Sequence, residues 1–305
     1  MKILVCGSAK WTDSFFSILK EEKHDVTFVL DERIPLKEQN IDPSGFEIVI
    51  CNGLFLYNDV KEFISLKTVQ LTSVGFDRVP IEYMKEHDIR VFNARGVYSI
   101  PMAEYAIFGV LSLYKKGKEL YKNQLEKKWI KQRDVLELFN KTVCIVGCGN
   151  VGQEVAKRFS AFGCKIIGVD IFPINSDLFI EKFSIKEIDK GLSISDIVVL
   201  TLPLTKETEG MFNENMFSKM KESSVFVNIA RGKIVKEDAL ISALKNKLYG
   251  AVLDVFESEP LDENSELWNL ENVLISPHNS FVGDGNIERL EELVLENIEK
   301  WKIKK

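Results

Sequence analysis

The chain has 305 residues, of which 45% are hydrophobic and 28% are charged, and its formal net charge is −6 at pH 7. This length and composition are typical of a soluble protein with two domains, each large enough for its own core. The acidic balance, without a long basic block, argues against nucleic acid or an anionic membrane as the main partner. No segment approaches the length of a membrane span, and the apolar run at the N-terminus is too short for a signal peptide. We therefore expect a cytoplasmic protein.

The first third of the chain alternates short apolar segments with helical ones. The predicted strands are Ile3–Cys6, Val26–Leu30, Glu47–Cys51, Val69–Thr72 and Ile89–Phe92. Helical patterns lie between them, such as Asp13–Lys20, in which Phe15 and Leu19 are one turn apart. Short strands separated by helices indicate a parallel sheet that is covered on both faces.

A long helical pattern begins at Pro101 and is followed by a charged segment, residues 115–140. This segment carries the isolated large apolar side chains Tyr121, Trp129 and Ile130. Such a composition is usually that of a solvated face, but it equally suits an arm that packs on a second subunit. The sequence leaves both alternatives open.

A glycine-rich motif, Gly-Cys-Gly-Asn-Val-Gly, occupies residues 147–152. It follows the β-branched apolar run 142–146 and precedes a helical pattern, and the next predicted strand ends in Asp170. Strand, glycine turn, helix, strand and acid form the dinucleotide-binding arrangement. Glycines let the backbone approach a pyrophosphate, the helix N-terminus offers N–H groups, and the acid accepts hydrogen bonds from ribose hydroxyls. The alternative is an ordinary tight turn with an acid on the surface.

The second half of the chain supplies six predicted strands, which are 143–146, 165–169, 197–200, 225–229, 250–253 and 273–276. Six parallel strands with the glycine turn after the first form a complete doubly wound dinucleotide domain. The last segment places apolar side chains on one helical stripe, namely Ile287, Leu290, Val294, Ile298 and Trp301. We predict that this last helix packs back on the first domain.

Ionisable residues follow three of these strands, at the sheet edge where ligands bind in such folds. Arg231 follows the fourth strand, Glu257 and Glu259 follow the fifth, and His278 follows the sixth. Arginine binds a carboxylate through two parallel hydrogen bonds, and histidine exchanges a proton near neutral pH. A carboxylate clamp and a proton donor beside a hydride carrier are what reduction of a 2-oxo acid requires. In the alternative interpretation, the arginine and the acids belong to solvated surface loops and have no catalytic role.

Longer motifs carry a family resemblance over nearly the whole chain. They are Leu202–Thr205, Val227–Gly232, Gly250–Phe256, Glu259–Leu261 and Ser276–His278, with Gly75–Asp77 and Ala103–Glu104 upstream. In their order and spacing, these segments resemble the D-isomer-specific 2-hydroxyacid dehydrogenase family.

The resemblance implies an α/β protein with two doubly wound parallel-sheet domains and a cleft between them. A flavodoxin-like substrate domain is expected at residues 1–97 plus 281–305. A Rossmann NAD-binding domain is expected at residues 98–280, including an interdomain helix and a dimerisation arm at about 101–140. A homodimer is therefore expected.

The resemblance also assigns roles to single residues. Arg231 matches the substrate-binding arginine, His278 the acid/base, and Glu259 the glutamate that orients the histidine. Glu259 is preferred to Glu257 because it directly precedes Pro260, as in the family. The predicted cofactor-binding residues are Gly147, Gly149, Asn150, Val151, Gly152, Asp170, Leu202, Pro203, Thr208, Ile229, Ala230 and Asp254. The predicted substrate-binding residues are Asn52, Val74, Gly75, Tyr98 and Arg231.

The expected function is NAD-dependent interconversion of a 2-oxo acid and a D-2-hydroxy acid by hydride transfer. NAD is favoured over NADP because Asp170 is followed by Ile171–Pro173, with no basic residue to meet a 2′-phosphate. Two alternatives stay open, an NAD(H)-sensing corepressor-like protein on the same fold and, among enzymes, a phosphoglycerate dehydrogenase. The neutral segment Cys51–Phe55 stands where relatives acting on phosphoglycerate carry basic residues, which argues against a phosphorylated substrate. Arg95 replaces a residue that is commonly small or proline, and it either faces solvent or senses a second acidic group.

The five cysteines show neither paired nor metal-type spacing, so we expect reduced thiols and no metal site. One of them, Cys148, lies inside the glycine turn, where alkylation would block a cofactor.

Overall fold

The computed structural model describes residues 1–303, which divide into two compact units. The first unit combines Met1–Tyr98 with the described chain from Gly283 onward, and the second unit is Ser99–Val282. Each unit is a parallel sheet with helices, so the predicted α/β fold class is confirmed. The junctions lie one and two residues later than the predicted 97/98 and 280/281, and the functional roles assigned to the two parts stay predictions.

The strands within the described residues are β1 Lys2–Cys6, β2 Asp25–Val29, β3 Ile48–Cys51, β4 Thr68–Leu71, β5 Arg90–Phe92, β6 Thr142–Val146, β7 Lys165–Asp170, β8 Glu181–Ser184, β9 Ile197–Leu200, β10 Val225–Asn228, β11 Gly250–Leu253 and β12 Val273–Ile275. The α-helices are α1 Asp13–Glu21, α2 Ile81–Glu86, α3 Ser99–Tyr114, α4 Gly117–Leu125, α5 Asn150–Ala161, α6 Ile188–Ile194, α7 Glu214–Lys219, α8 Glu237–Asn246 and α9 Asn286–Ile303. Short 3-10 helices occupy Leu36–Gln39, Pro43–Gly45, Leu54–Leu56, Val60–Glu62, Ile185–Glu187, Gly232–Ile234 and Glu266–Asn269.

The sheet of the first unit has the strand order β2-β1-β3-β4-β5, and all neighbouring strands are parallel. The central strands β1 and β3 are almost entirely apolar and buried, as strands covered on both faces must be. Helix α1 begins where the Thr12 hydroxyl accepts a hydrogen bond from the Phe15 N–H at 3.2 Å. Helix α9 packs Leu290, Val294 and Ile298 against Ile3 of β1 and its neighbours, which confirms that the last helix returns to the first part of the chain.

The sheet of the second unit has the order β12-β11-β10-β9-β6-β7-β8, again with parallel neighbours. The sequence predicted six of these strands and missed β8. That strand, Glu-Lys-Phe-Ser, is mostly exposed and lies at the sheet edge, so it lacks the apolar pattern of a buried strand. The chain changes direction across the sheet between β6 and β9, which places a topological switch point beside the glycine turn.

Helix α3 covers one face of this sheet with small and apolar residues, including Ala103, Ala106 and Val110. Gly109 is required there, because a Cβ atom on it would lie 2.3 Å from Cγ1 of Val252 on β11. The following helix, α4, buries none of its residues. None of the helices in residues 1–303 combines the length and the apolar character needed to cross a membrane.

Candidate active site

The glycine turn joins β6 to α5, and two of its glycines are required by backbone packing. Gly147 has a φ of +96°, and a Cβ atom on it would lie 2.8 Å from the main-chain nitrogen of Leu202. A Cβ atom on Gly152 would lie 2.2 Å from the carbonyl oxygen of Gly147. Gly149 differs, because nothing lies within 4 Å of its Cβ position. The turn therefore leaves open space directly before the first residue of α5.

Asp170 ends β7 beside this turn. One carboxylate oxygen accepts a hydrogen bond from the Cys148 N–H at 2.6 Å, and the other accepts one from the Phe172 N–H at 2.9 Å. Open space at Gly149, the N-terminus of a twelve-residue helix and a fixed carboxylate fit a dinucleotide, with the pyrophosphate at the turn and a ribose at Asp170. The residues that follow, Ile171 and Phe172, are exposed and apolar.

Cys148 lies within the turn and is partly buried. Burial, with a further contribution from the negative charge of Asp170, raises the pKa of its thiol to about 12. The thiol is therefore protonated at neutral pH, which makes it a poor nucleophile.

Arg231 follows β10 on a turn that Asn228 braces. The side-chain oxygen of Asn228 accepts a hydrogen bond from the Ala230 N–H at 3.1 Å, and its amide nitrogen donates to the Arg231 carbonyl oxygen at 3.2 Å. The Arg231 side chain is exposed, and its Nη1 donates to the Ala230 carbonyl oxygen at 2.6 Å. A Cβ atom on Gly232 would lie 1.7 Å from the carbonyl oxygen of Phe256, so only glycine lets this turn approach the segment after β11.

His278 lies beside Glu259. Its Nδ1 is 2.8 Å from Oε2 of Glu259, while Oε1 of the same carboxylate accepts a hydrogen bond from the Phe256 N–H at 3.1 Å. The other candidate, Glu257, instead accepts a hydrogen bond from the Glu237 N–H at 3.2 Å. The His278 side chain is 41% exposed, so its ring is oriented by protein on one side and accessible on the other.

Asp254 organises the turn that carries His278, a connection that the sequence did not reveal. The Asp254 carboxylate is 1% exposed and accepts hydrogen bonds from the Asn279 N–H at 2.7 Å, the Ser280 N–H at 3.0 Å and the Ser276 hydroxyl. Its carbonyl oxygen accepts a hydrogen bond from the His278 N–H at 2.8 Å. His278 itself has a φ of +50°, an unusual conformation that these bonds hold in place. In the sequence, the only sign of this role is an acid that directly follows an apolar strand.

The remaining predicted cofactor residues of the second unit follow β9 and β10. Leu202, Ile229 and Ala230 are buried in the apolar clusters of the sheet. Thr208 closes the turn after β9, because its hydroxyl donates to the Pro203 carbonyl oxygen at 2.8 Å and accepts from the Thr205 N–H at 2.7 Å. Asn150 and Val151 begin helix α5. Their contacts with a cofactor stay predictions.

Four predicted substrate residues belong to the first unit, at or after the carboxyl ends of its strands. Asn52 follows β3, and its N–H donates to Glu32 at 2.9 Å. Val74 and Gly75 follow β4, and the Val74 carbonyl oxygen accepts a hydrogen bond from the Asn93 side chain at 2.8 Å. The Tyr98 hydroxyl donates to the Thr72 carbonyl oxygen. Arg95 is exposed. A role in substrate binding stays a prediction for each of them.

The second unit thus places an arginine, a histidine and a carboxylate at the strand ends of a sheet whose switch point fits a dinucleotide. This arrangement defines a nicotinamide-dependent oxidoreductase acting on a carboxylic acid.

Comparisons with known proteins agree with this class. Residues 107–280 match the profile described as "D-isomer specific 2-hydroxyacid dehydrogenase, NAD binding domain". The chain is 35% identical over 241 residues to the glyoxylate reductase of Thermofilum pendens, covering 77% of this chain and 71% of that protein. It is 35% identical over 243 residues to the hydroxypyruvate reductase of Thermotoga maritima, covering 77% and 76%. A D-lactate dehydrogenase from Aquifex aeolicus, solved with NAD and lactic acid, has a TM-score of 0.75 at 25% identity, covering 98% of this chain and 95% of that one.

The chain belongs to the D-isomer specific 2-hydroxyacid dehydrogenases. This finding confirms the predicted family, the NAD-dependent dehydrogenase activity and the nicotinamide dinucleotide cofactor. It also favours the enzyme over the NAD-sensing alternative. The roles of individual residues stay predictions.

Proposed function

We propose that the protein reduces a small 2-oxo acid with a single carboxylate to the D-2-hydroxy acid, using NADH. Glyoxylate and hydroxypyruvate are the first candidates, because similar proteins carry the names glyoxylate reductase and hydroxypyruvate reductase. The observation that carries the proposal is the arrangement after β10, β11 and β12. There Glu259 and His278 lie 2.8 Å apart, and Arg231 occupies a turn packed against the segment after β11.

The proposed role of Arg231 is to bind and orient the acid. One guanidinium nitrogen donates to the Ala230 carbonyl oxygen, which fixes the direction of the side chain. The guanidinium has further N–H groups that can bind a carboxylate in parallel and polarise the adjacent carbonyl. Orienting the acid in this way lowers the entropic cost of bringing it to the reacting geometry.

The proposed role of His278 is to exchange the proton. The bound nicotinamide supplies the hydride for C2 of the acid. Because Nδ1 of His278 faces Glu259, Nε2 is the nitrogen that gives its proton to the carbonyl oxygen as the hydroxyl forms. Glu259 holds the ring in this orientation, as a carboxylate does for histidine in other acid–base sites. In the reverse direction, His278 accepts the hydroxyl proton.

We propose NAD rather than NADP as the working cofactor. The Asp170 carboxylate is fixed by two main-chain N–H groups, so it is available to ribose hydroxyls and repels a 2′-phosphate. The exposed residues after it, Ile171 and Phe172, carry no charge that would bind that phosphate. Comparing kcat/KM for NADH and NADPH tests this point, and equal values would contradict it.

The activity is tested by measuring NADH oxidation with a panel of 2-oxo acids. The panel contains glyoxylate, hydroxypyruvate, pyruvate, branched and aromatic oxo acids, and 2-oxoglutarate. We expect the highest kcat/KM with one of the small acids that carry a single carboxylate. Tight NADH binding without oxidation by any acid of the panel would reject the proposed reaction and favour an NADH sensor.

We also propose that two copies associate through the segment after α3. Trp129 is 96% exposed, and Tyr121, Leu125 and Ile130 are exposed nearby in the chain, which is unusual for apolar side chains in contact with water. Light scattering should give a dimer mass that falls in a Trp129→Ser variant. Ile64→Ser is the matched control, because Ile64 is 81% exposed on the first unit and lies outside this segment. A monomeric wild-type protein would contradict the proposal.

Cysteine chemistry and net charge bear on the location and the partners of the protein. The five cysteines are free thiols, as in proteins of reducing compartments, so we infer a cytoplasmic location. The net charge of −6 disfavours nucleic acid as a partner, which leaves a small-molecule acid as the expected one. To test the cytoplasmic location, the protein is purified without reductant and then unfolded, and its thiols are titrated. Five free thiols are expected.

A further inference from the structure

Glu32 follows β2 and reaches across to the carboxyl end of β3. Its Oε2 accepts a hydrogen bond from the Asn52 N–H at 2.9 Å, and its Oε1 accepts one from the Gly53 N–H at 2.7 Å. Both oxygens of one carboxylate are therefore bound to consecutive main-chain N–H groups. This pairing fixes a negative charge at the end of a central strand of the first unit, beside the predicted substrate residue Asn52.

The surroundings of Glu32 contain both neutral groups and cations. Burial, and then the charge of Glu32, raises the pKa of the Cys51 thiol, which keeps that neighbour neutral. The nearby Arg33 is engaged by Asp31, with Nη2 and Oδ2 2.8 Å apart. Arg78 lies near the same strand end, since its Cδ is 3.8 Å from the position that a Cβ atom on Gly53 would take. The Arg78 side chain is exposed.

We propose that Glu32 determines specificity by excluding acids that carry a second negative charge. Ligands of open parallel sheets bind at the carboxyl ends of the strands, which is where this carboxylate is held. A substrate with a phosphate or a second carboxylate at this end would bring like charges together, and the hydrogen bonds prevent the Glu32 carboxylate from turning away. The inference rests on the proposed function and narrows its substrate class to 2-oxo acids with one negative charge.

The charge itself is tested with Glu32→Gln, which keeps the size of the side chain and one oxygen that can accept a main-chain hydrogen bond. The substrate pair is hydroxypyruvate and phosphohydroxypyruvate, which differ by the phosphate alone. We expect wild type to prefer hydroxypyruvate. In Glu32→Gln, the ratio of kcat/KM for the phosphorylated acid to that for hydroxypyruvate should rise on the order of tenfold.

Glu38→Gln is the matched control. It makes the same change in net charge on an exposed side chain of the neighbouring 3-10 helix, and we expect an unchanged ratio. If Glu32→Gln fails to fold, Asn52→Lys places a positive charge beside Glu32 and should raise the ratio in the same direction.

The outcomes separate the two claims. An unchanged ratio in Glu32→Gln, or in Asn52→Lys where that variant is needed, with normal use of hydroxypyruvate overturns the role of Glu32 alone. A wild-type preference for the phosphorylated acid also overturns it, and would point to Arg78 as the charge that matters. Absence of NADH oxidation with every 2-oxo acid overturns the proposed function, and the role of Glu32 with it.

Discussion

In both sheets, carboxylates at the carboxyl edge bind main-chain N–H groups, but the groups beside these carboxylates differ. In the second unit, the carboxylates of Asp254 and Glu259 bind main-chain N–H groups and thereby hold the turn and the ring of His278. In the first unit, the carboxylate of Glu32 also binds two main-chain N–H groups, but no histidine lies beside it among the contacts described for that edge. The same hydrogen-bonding device thus supports a reacting group in one sheet and sets a local charge in the other.

The largest effect should come from His278, because the proton transfer is assigned to this residue alone. His278→Ala should lower kcat on the order of a hundredfold or more, the usual size of a general acid–base contribution. The control is His87→Ala, since His87 is exposed on the first unit, where it stacks on Tyr83. Near-wild-type turnover of His278→Ala in a steady-state assay would show that the edge of the second sheet does not carry the proton-transferring group.

Glu259 and Glu257 lie in one loop but bind different partners. Glu259→Gln should lower kcat by about tenfold to a hundredfold with little change in KM, because the histidine loses its orienting charge. Glu257→Gln should leave kcat close to wild type, since that carboxylate binds the Glu237 N–H rather than the histidine. Equal losses in the two variants, measured by steady-state kinetics, would show that the loop responds to charge in general.

The glycine turn offers a pair of variants that separate cofactor binding from folding. Gly149→Ala adds a methyl group to open space, so the melting temperature should stay constant while the Kd for NADH rises by about tenfold. Gly152→Ala brings its Cβ atom 2.2 Å from the Gly147 carbonyl oxygen and should destabilise the protein by about 1–3 kcal/mol. Fluorescence titration and thermal unfolding measure the two effects. Wild-type NADH affinity in Gly149→Ala would place the pyrophosphate elsewhere.

The last prediction concerns the reactivity of Cys148 rather than catalysis or stability. Burial, and then the charge of Asp170, raises the pKa of this thiol to about 12. At neutral pH, iodoacetamide should therefore alkylate Cys148 on the order of a hundredfold more slowly than it alkylates the thiol of glutathione. Peptide mass spectrometry after timed quenching measures the rate. Rapid modification that NADH suppresses would show that the turn opens more than the structure indicates.

Much of the fold could be predicted from sequence because it depends on apolar patterns. The central strands, such as β1 and β9, are continuous apolar runs, and each was predicted within one residue of its bounds. The edge strand β8 escaped because its exposed Glu-Lys-Phe-Ser segment needs no such pattern. The stripe ending in Trp301 correctly indicated a helix that packs on the first part of the chain.

For the candidate site too, some features could be predicted from the sequence and others could not. The positions of Arg231, Glu259 and His278 could be proposed because each follows a recognisable strand. The supporting hydrogen bonds could not be, because they depend on main-chain directions inside turns. Thus the three bonds to the Asp254 carboxylate, and the contact between Glu32 and residues about twenty positions later in the chain, required the structure.

The configuration of the product tests the proposed reaction directly. Wild-type protein is incubated with NADH and hydroxypyruvate, the loss of NADH is followed by absorbance, and the glycerate formed is resolved by chiral chromatography. We expect D-glycerate in an amount equal to that of the NADH consumed. L-glycerate or a racemic product would contradict the proposed reaction.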